Sequence, residues 1–192
     1  MTRLFLVRHG ETEWSRDGRH TSVTDLPLTD HGREQALRLF GHLDPTDFGL
    51  VLTSPRHRAQ ITAELAGFVG PHAPEVDEDL VEWFYGDFEG RTSPEIHEDV
   101  PGWTVFTQTP QGGETAEQVR TRLTRVIERV RASGVEQAIV FSHGHALRAL
   151  TLCWLGLDLT FGDRFPLDTS TVSVLGEAKG GPALQQWNAS PR

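Results

Sequence analysis

Leu4-Phe5-Leu6-Val7-Arg8-His9-Gly10-Glu11-Thr12 and Ala138-Ile139-Val140-Phe141-Ser142-His143-Gly144-His145 share one design. Each is a short unbroken apolar run followed, after one polar residue, by histidine and glycine. A run of four apolar residues bounded in this way reads as a strand buried on both faces. Leu50-Val51-Leu52 is a third such run. It leads through Thr53-Ser54-Pro55 into a predicted helix reaching about Phe68, with Pro55 near the first helical position. After His143-Gly144 the pattern predicts a helix over Ala146 to Leu155, apolar on nearly every side and hence central. Thr29 is the expected N-cap of another helix, running to about Leu43, with Ala36, Leu37, Phe40 and Leu43 on one face. Thr115 and Gln118 form a capping-box pattern. The apolar stripe Val119, Leu123, Val126, Ile127 and Val130 then keeps helical spacing towards Gly134. Thr171 to Leu175 alternates weakly and suggests a late strand.

Strands alternating with helices predict an α/β fold, a three-layer α/β/α sandwich around a mostly parallel sheet. Ligands of such sheets bind at the carboxyl ends of the strands, which is where both histidine motifs stand. The chain has 192 residues, without internal repeat or low-complexity tract, so a single domain over 1–192 is expected. Residues 70–113 are rich in Pro, Gly and acidic side chains and predict a loop-rich, cap-like segment with a short helix near Pro94 to Glu98.

With 37% hydrophobic and 23% charged residues, the composition is that of a soluble globular protein. No apolar stretch is long enough to cross a bilayer. Only four apolar residues precede Arg8, too few for a secretory signal. The lone Cys153 cannot form an intrachain disulfide, so a cytoplasmic location is expected. The 27 acidic against 18 basic residues, net charge −9, argue against a nucleic-acid partner. An anionic ligand must then be drawn in by a local arginine cluster.

Four segments supply candidate chemistry: Arg8-His9-Gly10, Ser54-Pro55-Arg56-His57-Arg58-Ala59, Glu82 ahead of Trp83-Phe84-Tyr85-Gly86, and Ser142-His143-Gly144-His145. Together they suit phosphoryl transfer. Two arginine forks match phosphate oxygens. A neutral, oriented imidazole attacks phosphorus. A carboxylic acid donates the proton that a leaving alkoxide requires.

These segments, in this order, resemble the histidine phosphatase superfamily, which also contains the cofactor-dependent phosphoglycerate mutases. The resemblance runs from Leu4 to about Ser173 and implies a phosphoglycerate mutase-like fold. It implies His9 as nucleophile, Arg8 and His143 holding the phosphoryl oxygens, and Arg58, not Arg56, as the pocket arginine. Glu82 corresponds to the proton donor, three residues ahead of Tyr85-Gly86. Gly112-Gly113-Glu114-Thr115 is similar to a Gly-Gly-Glu-Ser segment that opens a helix. Within the superfamily, Glu11 to Ser15, Gly18 to Thr21, Thr24 to Thr29, Tyr85 to Gly90 and His143 to Arg148 most resemble small broad-specificity acid phosphatases and sedoheptulose-bisphosphatase-like enzymes. That implies a small phosphorylated substrate, a sugar phosphate.

Ser15 stands where many relatives have Asn, and Thr21-Ser22 where many have Thr-Gly. With Tyr85, Gly144 and His145 these complete the expected substrate-binding set. The cations that mutases carry after the Tyr-Gly pair are absent, since the stretch reads Arg91-Thr92-Ser93 and Gly102-Trp103-Thr104-Val105. Phosphatase is therefore favoured over a mutase, and over a non-catalytic phosphate-recognition module, which could lose His9 or Glu82. No metal or other cofactor is expected. His143 and His145 are closely spaced, but no carboxylate or cysteine cluster accompanies them. Arg120, Arg122, Arg125, Arg129 and Arg131 read as a solvated helix face. Trp83, Phe84, Tyr85, Phe88, Trp103 and Phe106 read as packing over the sheet or as a lid. A protonated Glu82 beside a neutral His9 predicts an acidic to neutral optimum. Oligomeric state is not indicated.

Overall fold

Strand β1 (Arg3–Arg8) is the first element of a computed structural model that describes residues 2–191. It is followed by α1 (Glu13–Arg16), α2 (Asp30–Leu37), β2 (Leu50–Thr53), α3 (His57–Leu65), β3 (Glu75–Val76) and α4 (Ser93–Asp99). The long helix α5 (Ala116–Ala132), β4 (Gln137–Ser142), α6 (Gly144–Leu155), β5 (Val172–Ala178) and β6 (Gly181–Ala189) complete the order. The six strands form one sheet, β3-β2-β4-β1-β5-β6. The pairings of β1 with β4, β4 with β2 and β2 with β3 are parallel. The β1–β5 and β5–β6 pairings are antiparallel.

Strand alternation divides the core into two. Leu4, Leu6, Ala138 and Val140 face α5, α6 and the aromatic segment. Val7, Ile139 and Phe141 face the other way, onto Leu39, Leu43, Ala63 and Phe68. Thus a helical layer covers each face, as the strand-helix alternation predicts. The capping box of Thr115 with Gln118 is formed, and all five residues of the predicted α5 stripe are buried. Among the described residues no helix is long and apolar enough to cross a membrane.

The two helices of the other layer are shorter than their spacing predicts. Thr29 caps α2 through the Gly32 N–H, but the helix stops at Leu37. Short-range bonds from Leu39 N–H to Ala36 and from Phe40 N–H to Leu37 tighten the next turn, and Gly41 adopts φ +77°. This rotation leaves Leu37 and Phe40 exposed and buries Leu39 instead. Helix α3 begins at His57 with Arg56 as N-cap, so Pro55 lies just outside it, and it ends at Leu65. The 70–113 region is mostly loop, with α4 at the expected place and capped by Thr92 and Glu95. The two-residue β3 and the terminal β6 were beyond the sequence pattern.

Candidate active site

Adjacent parallel strands put the two histidine motifs side by side. The register pairs Arg8 with Ser142, so His9 and His143 leave the sheet together and their rings lie 5.2 Å apart, edge to face. The turn after β1 packs backbone to backbone against α2. A Cβ on Gly10 would stand 2.4 Å from the Gly32 carbonyl oxygen, so only glycine fits. Gly10 N–H is held by Thr62 Oγ1 at 2.9 Å. With the turn fixed, the Gly10 carbonyl accepts a bond from His9 Nδ1 at 2.7 Å. A carbonyl only accepts, so Nδ1 carries the proton and Nε2 keeps its lone pair. Burial, reinforced by Arg58 and Arg8, holds the His9 imidazole well below the usual histidine range. His9 is therefore neutral and oriented, the state that attack on phosphorus requires.

A cavity of about 320 Å³ opens over His9. Its lining includes Arg8, His9, Ser15, Thr21, Glu82, Tyr85, Gly144 and His145 from the predicted set. Arg8 donates to the Leu167 carbonyl, while its buried Nε has no partner among the described residues. A Cβ on Gly144 would lie 3.4 Å from its guanidinium carbon, so the bare glycine leaves the Arg8 fork clear.

Arg58, His143 and Ser22 lie outside that lining, and each makes its hydrogen bonds within the protein. Arg58 Nε donates to His143 Nδ1 at 3.2 Å, and its terminal nitrogens donate to the Thr24, Thr21 and Ser22 carbonyls. His143 Nε2–H in turn donates to Ser54 Oγ at 2.7 Å. Both ring nitrogens of His143 are thus engaged within the protein, and it does not present a donor to the cavity here. Arg58 acts on His9 through its charge. Ser22 bonds the Glu89 carboxylate through both its N–H and its hydroxyl. Ser15 lines the cavity, but its hydroxyl accepts from Thr12 N–H and donates to Thr12 O, closing the cap of α1.

Glu89 also accepts from Thr24 N–H at 3.0 Å, so it anchors the loop whose carbonyls grip Arg58. Substituting Glu89→Ala is expected to lower kcat/KM about tenfold by loosening Arg58, as loss of a charged hydrogen-bond anchor implies. Steady-state kinetics with p-nitrophenyl phosphate checks this. A fall in melting temperature with unchanged kcat/KM would show that the loop is structural only.

Glu82 sits at the N-terminus of α6. Its Oε1 accepts from Trp83 and Ala146 N–H, and Oε2 from His145 N–H at 3.1 Å. Oε2, with one donor, keeps an acceptor site on the cavity side. The segment carrying it is clamped from behind. Arg122, expected on a solvated face, is buried and bridges the Glu114 carboxylate and the Asp79 and Val81 carbonyls. Glu114 also accepts from Phe84 N–H. Arg125 and Arg129 pair with Asp79, Asp77 and Glu75 near the same segment. Of the aromatic segment, Tyr85 reaches the cavity lining. Trp83, Tyr85, Trp103 and Phe106 are buried in the larger core, and Phe106 lies 5.3 Å from the His145 ring. His20, Arg19, Ser93, Arg148 and Asp163 also line the cavity. The sequence reading did not place them there, although His20 and Arg148 stand inside stretches that carry the family resemblance. Among the described residues, no group of three or more His, Cys, Asp or Glu side chains is arranged to hold a metal ion.

Comparisons with known proteins identify the family. The chain is 41% identical to an acid phosphatase of Mycobacterium tuberculosis over 182 residues, covering 93% of this chain and 88% of the relative. It is 38% identical to sedoheptulose 1,7-bisphosphatase of Saccharomyces cerevisiae over 190 residues, covering 81% and 68%. The solved structure of the open reading frame Rv3214 of Mycobacterium tuberculosis superimposes with a TM-score of 0.93 at 36% identity, covering 100% of this chain and 99% of that one. The family profile matches residues 4–190, the span that holds the paired histidines, both arginines and Glu82, and the chain thereby belongs to the histidine phosphatase superfamily (branch 1).

Proposed function

We propose that this protein hydrolyses phosphate monoesters of small molecules, sugar phosphates in particular, through a phosphohistidine on His9. The observation that carries the reading is the His9 ring itself, neutral, tied through Nδ1 to Gly10 and flanked by two guanidinium groups. In the first step Nε2 forms a bond to phosphorus as the ester P–O bond breaks, and Glu82 gives its proton to the leaving oxygen. In the second, water transfers a proton to Glu82 while its oxygen bonds phosphorus, the P–N bond breaks, and His9 returns to its neutral form. Arg8, at the cavity, stabilises the phosphoryl charge, and Arg58 adds its field from behind. Acid phosphatase and sedoheptulose bisphosphatase relatives support the substrate class. A cytoplasmic location fits the lone Cys153.

The test is phosphate release, in the presence of EDTA and without bisphosphoglycerate, from p-nitrophenyl phosphate and a panel of sugar phosphates. Release under those conditions separates hydrolysis from mutase chemistry, and its absence on every substrate overturns the proposal.

Glu82→Gln supplies a second check. Turnover of sugar phosphates is expected to fall about 1,000-fold, within the usual range for a lost general acid-base. Nitrophenolate leaves without a proton, so this variant should release one nitrophenolate per site in a burst and then stall at dephosphorylation. Stopped-flow absorbance reads the burst, and steady turnover without one would contradict the role of Glu82.

A further inference from the structure

The part of the cavity that the phosphoryl chemistry does not use has a distinct character. Its cations are already paired. Arg19 donates to the Gly90 carbonyl at 2.7 Å and stands 3.8 Å from the Glu95 carboxylate. Arg148 donates to the Gly162 carbonyl through two nitrogens, lies 3.5 Å from the Asp163 carboxylate and covers the Phe106 ring. Asp163 itself faces the cavity. A second phosphate or a carboxylate arriving here would have to compete with these carbonyls and carboxylates for the guanidinium groups.

The remaining groups are neutral and able to hydrogen-bond. His20 packs 4.8 Å from Tyr85 and edge-on to Trp103, with Nε2 at 3.3 Å from Ser93 Oγ. Burial pushes its pKa down to about 4, so the ring is uncharged at neutral pH. Burial likewise holds His145 well below the usual range and raises Tyr85 well above 10. Tyr85 therefore keeps its proton, and its hydroxyl lies 2.6 Å from His145 Nδ1. That nitrogen is the phenol's one acceptor among the described residues, so His145 holds its own proton on Nε2 and offers it as a donor.

We propose that His20, Ser93 and His145 form a subsite for the hydroxyl groups of an uncharged polyol leaving group, with Tyr85 as the positioning residue that sets the His145 tautomer. The inference rests on the phosphatase reading and narrows it to esters whose leaving group carries hydroxyls and no second anion. A hydroxyl both donates and accepts, matching a wall of neutral imidazole and serine, and a site built for such groups disfavours ligands that leave them unpaired.

The experiment compares kcat/KM for ribose 5-phosphate, 3-phosphoglycerate, fructose 1,6-bisphosphate and p-nitrophenyl phosphate. The wild type is expected to favour ribose 5-phosphate over the carboxylate and bisphosphate esters by about tenfold or more. His20→Phe, which keeps a ring, and Ser93→Ala, which guards against misfolding of the first, should each lower the ribose 5-phosphate to p-nitrophenyl phosphate ratio, His20→Phe by about tenfold. Tyr85→Phe should lower the same ratio mainly through KM, a split that a purely structural role would not produce. A wild type that prefers either doubly anionic ester, or a ratio unmoved in both His20→Phe and Ser93→Ala, overturns the subsite while leaving the phosphatase reading intact. No hydrolysis of even p-nitrophenyl phosphate overturns both.

Discussion

Replacing His9 by alanine is expected to reduce kcat by at least about 10,000-fold, because the covalent route disappears with its nucleophile. KM should change far less. Arg8 and Arg58 remain, and their guanidinium groups are held by the Leu167, Thr24, Thr21 and Ser22 carbonyls independently of the His9 side chain. The variant should also fold, since the Gly10–Gly32 contact and the Gly10–Thr62 hydrogen bond are made by backbone and by α3. Rapid quench with labelled substrate distinguishes the cases. The wild type should yield a protein-bound phosphate that is labile in acid and stable in base, the behaviour of a P–N bond, and the variant should yield none. Retention of more than about one part in a hundred of wild-type turnover would remove His9 from the reaction, since loss of a nucleophile costs far more than that.

The second large effect concerns stability. Four histidines, His9, His20, His143 and His145, have their ionisation depressed mainly by burial. In the unfolded chain each titrates near 6.5. Below that value the unfolded state binds protons that the folded state excludes, so stability is full above 6.5 and is lost as pH falls towards each folded value. For His20, depressed to about 4, the loss at pH 5 is about 2 kcal/mol. This corresponds to roughly 5 °C in Tm for a chain of this size. With all four acting together, Tm should fall by more than about 10 °C between pH 7 and pH 5. Calorimetry across that range checks the slope, and His20→Phe should flatten it by the share of one group. A flat profile would mean that these rings titrate in the fold as they do in the unfolded chain. Catalysis follows a different course, because acid leaves His9 neutral. Initial rates in a brief assay should persist at a pH where prolonged incubation inactivates the enzyme.

Much of the architecture was legible in the sequence because burial on two sides leaves an unbroken apolar run. Leu4 to Val7 and Ala138 to Phe141 are the central strands, and the histidines that end them are neighbours for that reason alone. The capping box at Thr115 marked α5 to the residue. Leu37 and Phe40 misled because their spacing is helical although their side chains face water; spacing reports a possible face, and tertiary contact decides whether it is covered. Arg122 was hidden for a similar reason. On α5 it looks like Arg125 and Arg129, and only the approach of Glu114 and the 79–81 carbonyls from outside the helix makes it the buried one. Ser15 belongs to the expected substrate-binding set, and its place three residues after Thr12 is also that of a cap partner, a bond that forms. The membership of His20, Arg148 and Asp163 in the cavity depends on a loop, helix α6 and the helical turn Leu159–Arg164 meeting, which no local pattern records.

The central place of the β1–β4 pairing bears on how the protein comes into being. Residues 3–8 find their partners at 137–142, so the two histidines meet only after some 130 residues of chain have been closed into a loop. That closure is entropically costly and characteristic of slow, topology-limited folding. A ribosome-bound chain that has not yet emerged past Ser142 holds His9 without the neighbouring strand that places His143 beside it. Recovery of hydrolysis during refolding should therefore track global closure of the sheet as a single kinetic event, making enzymatic activity a reporter of topology.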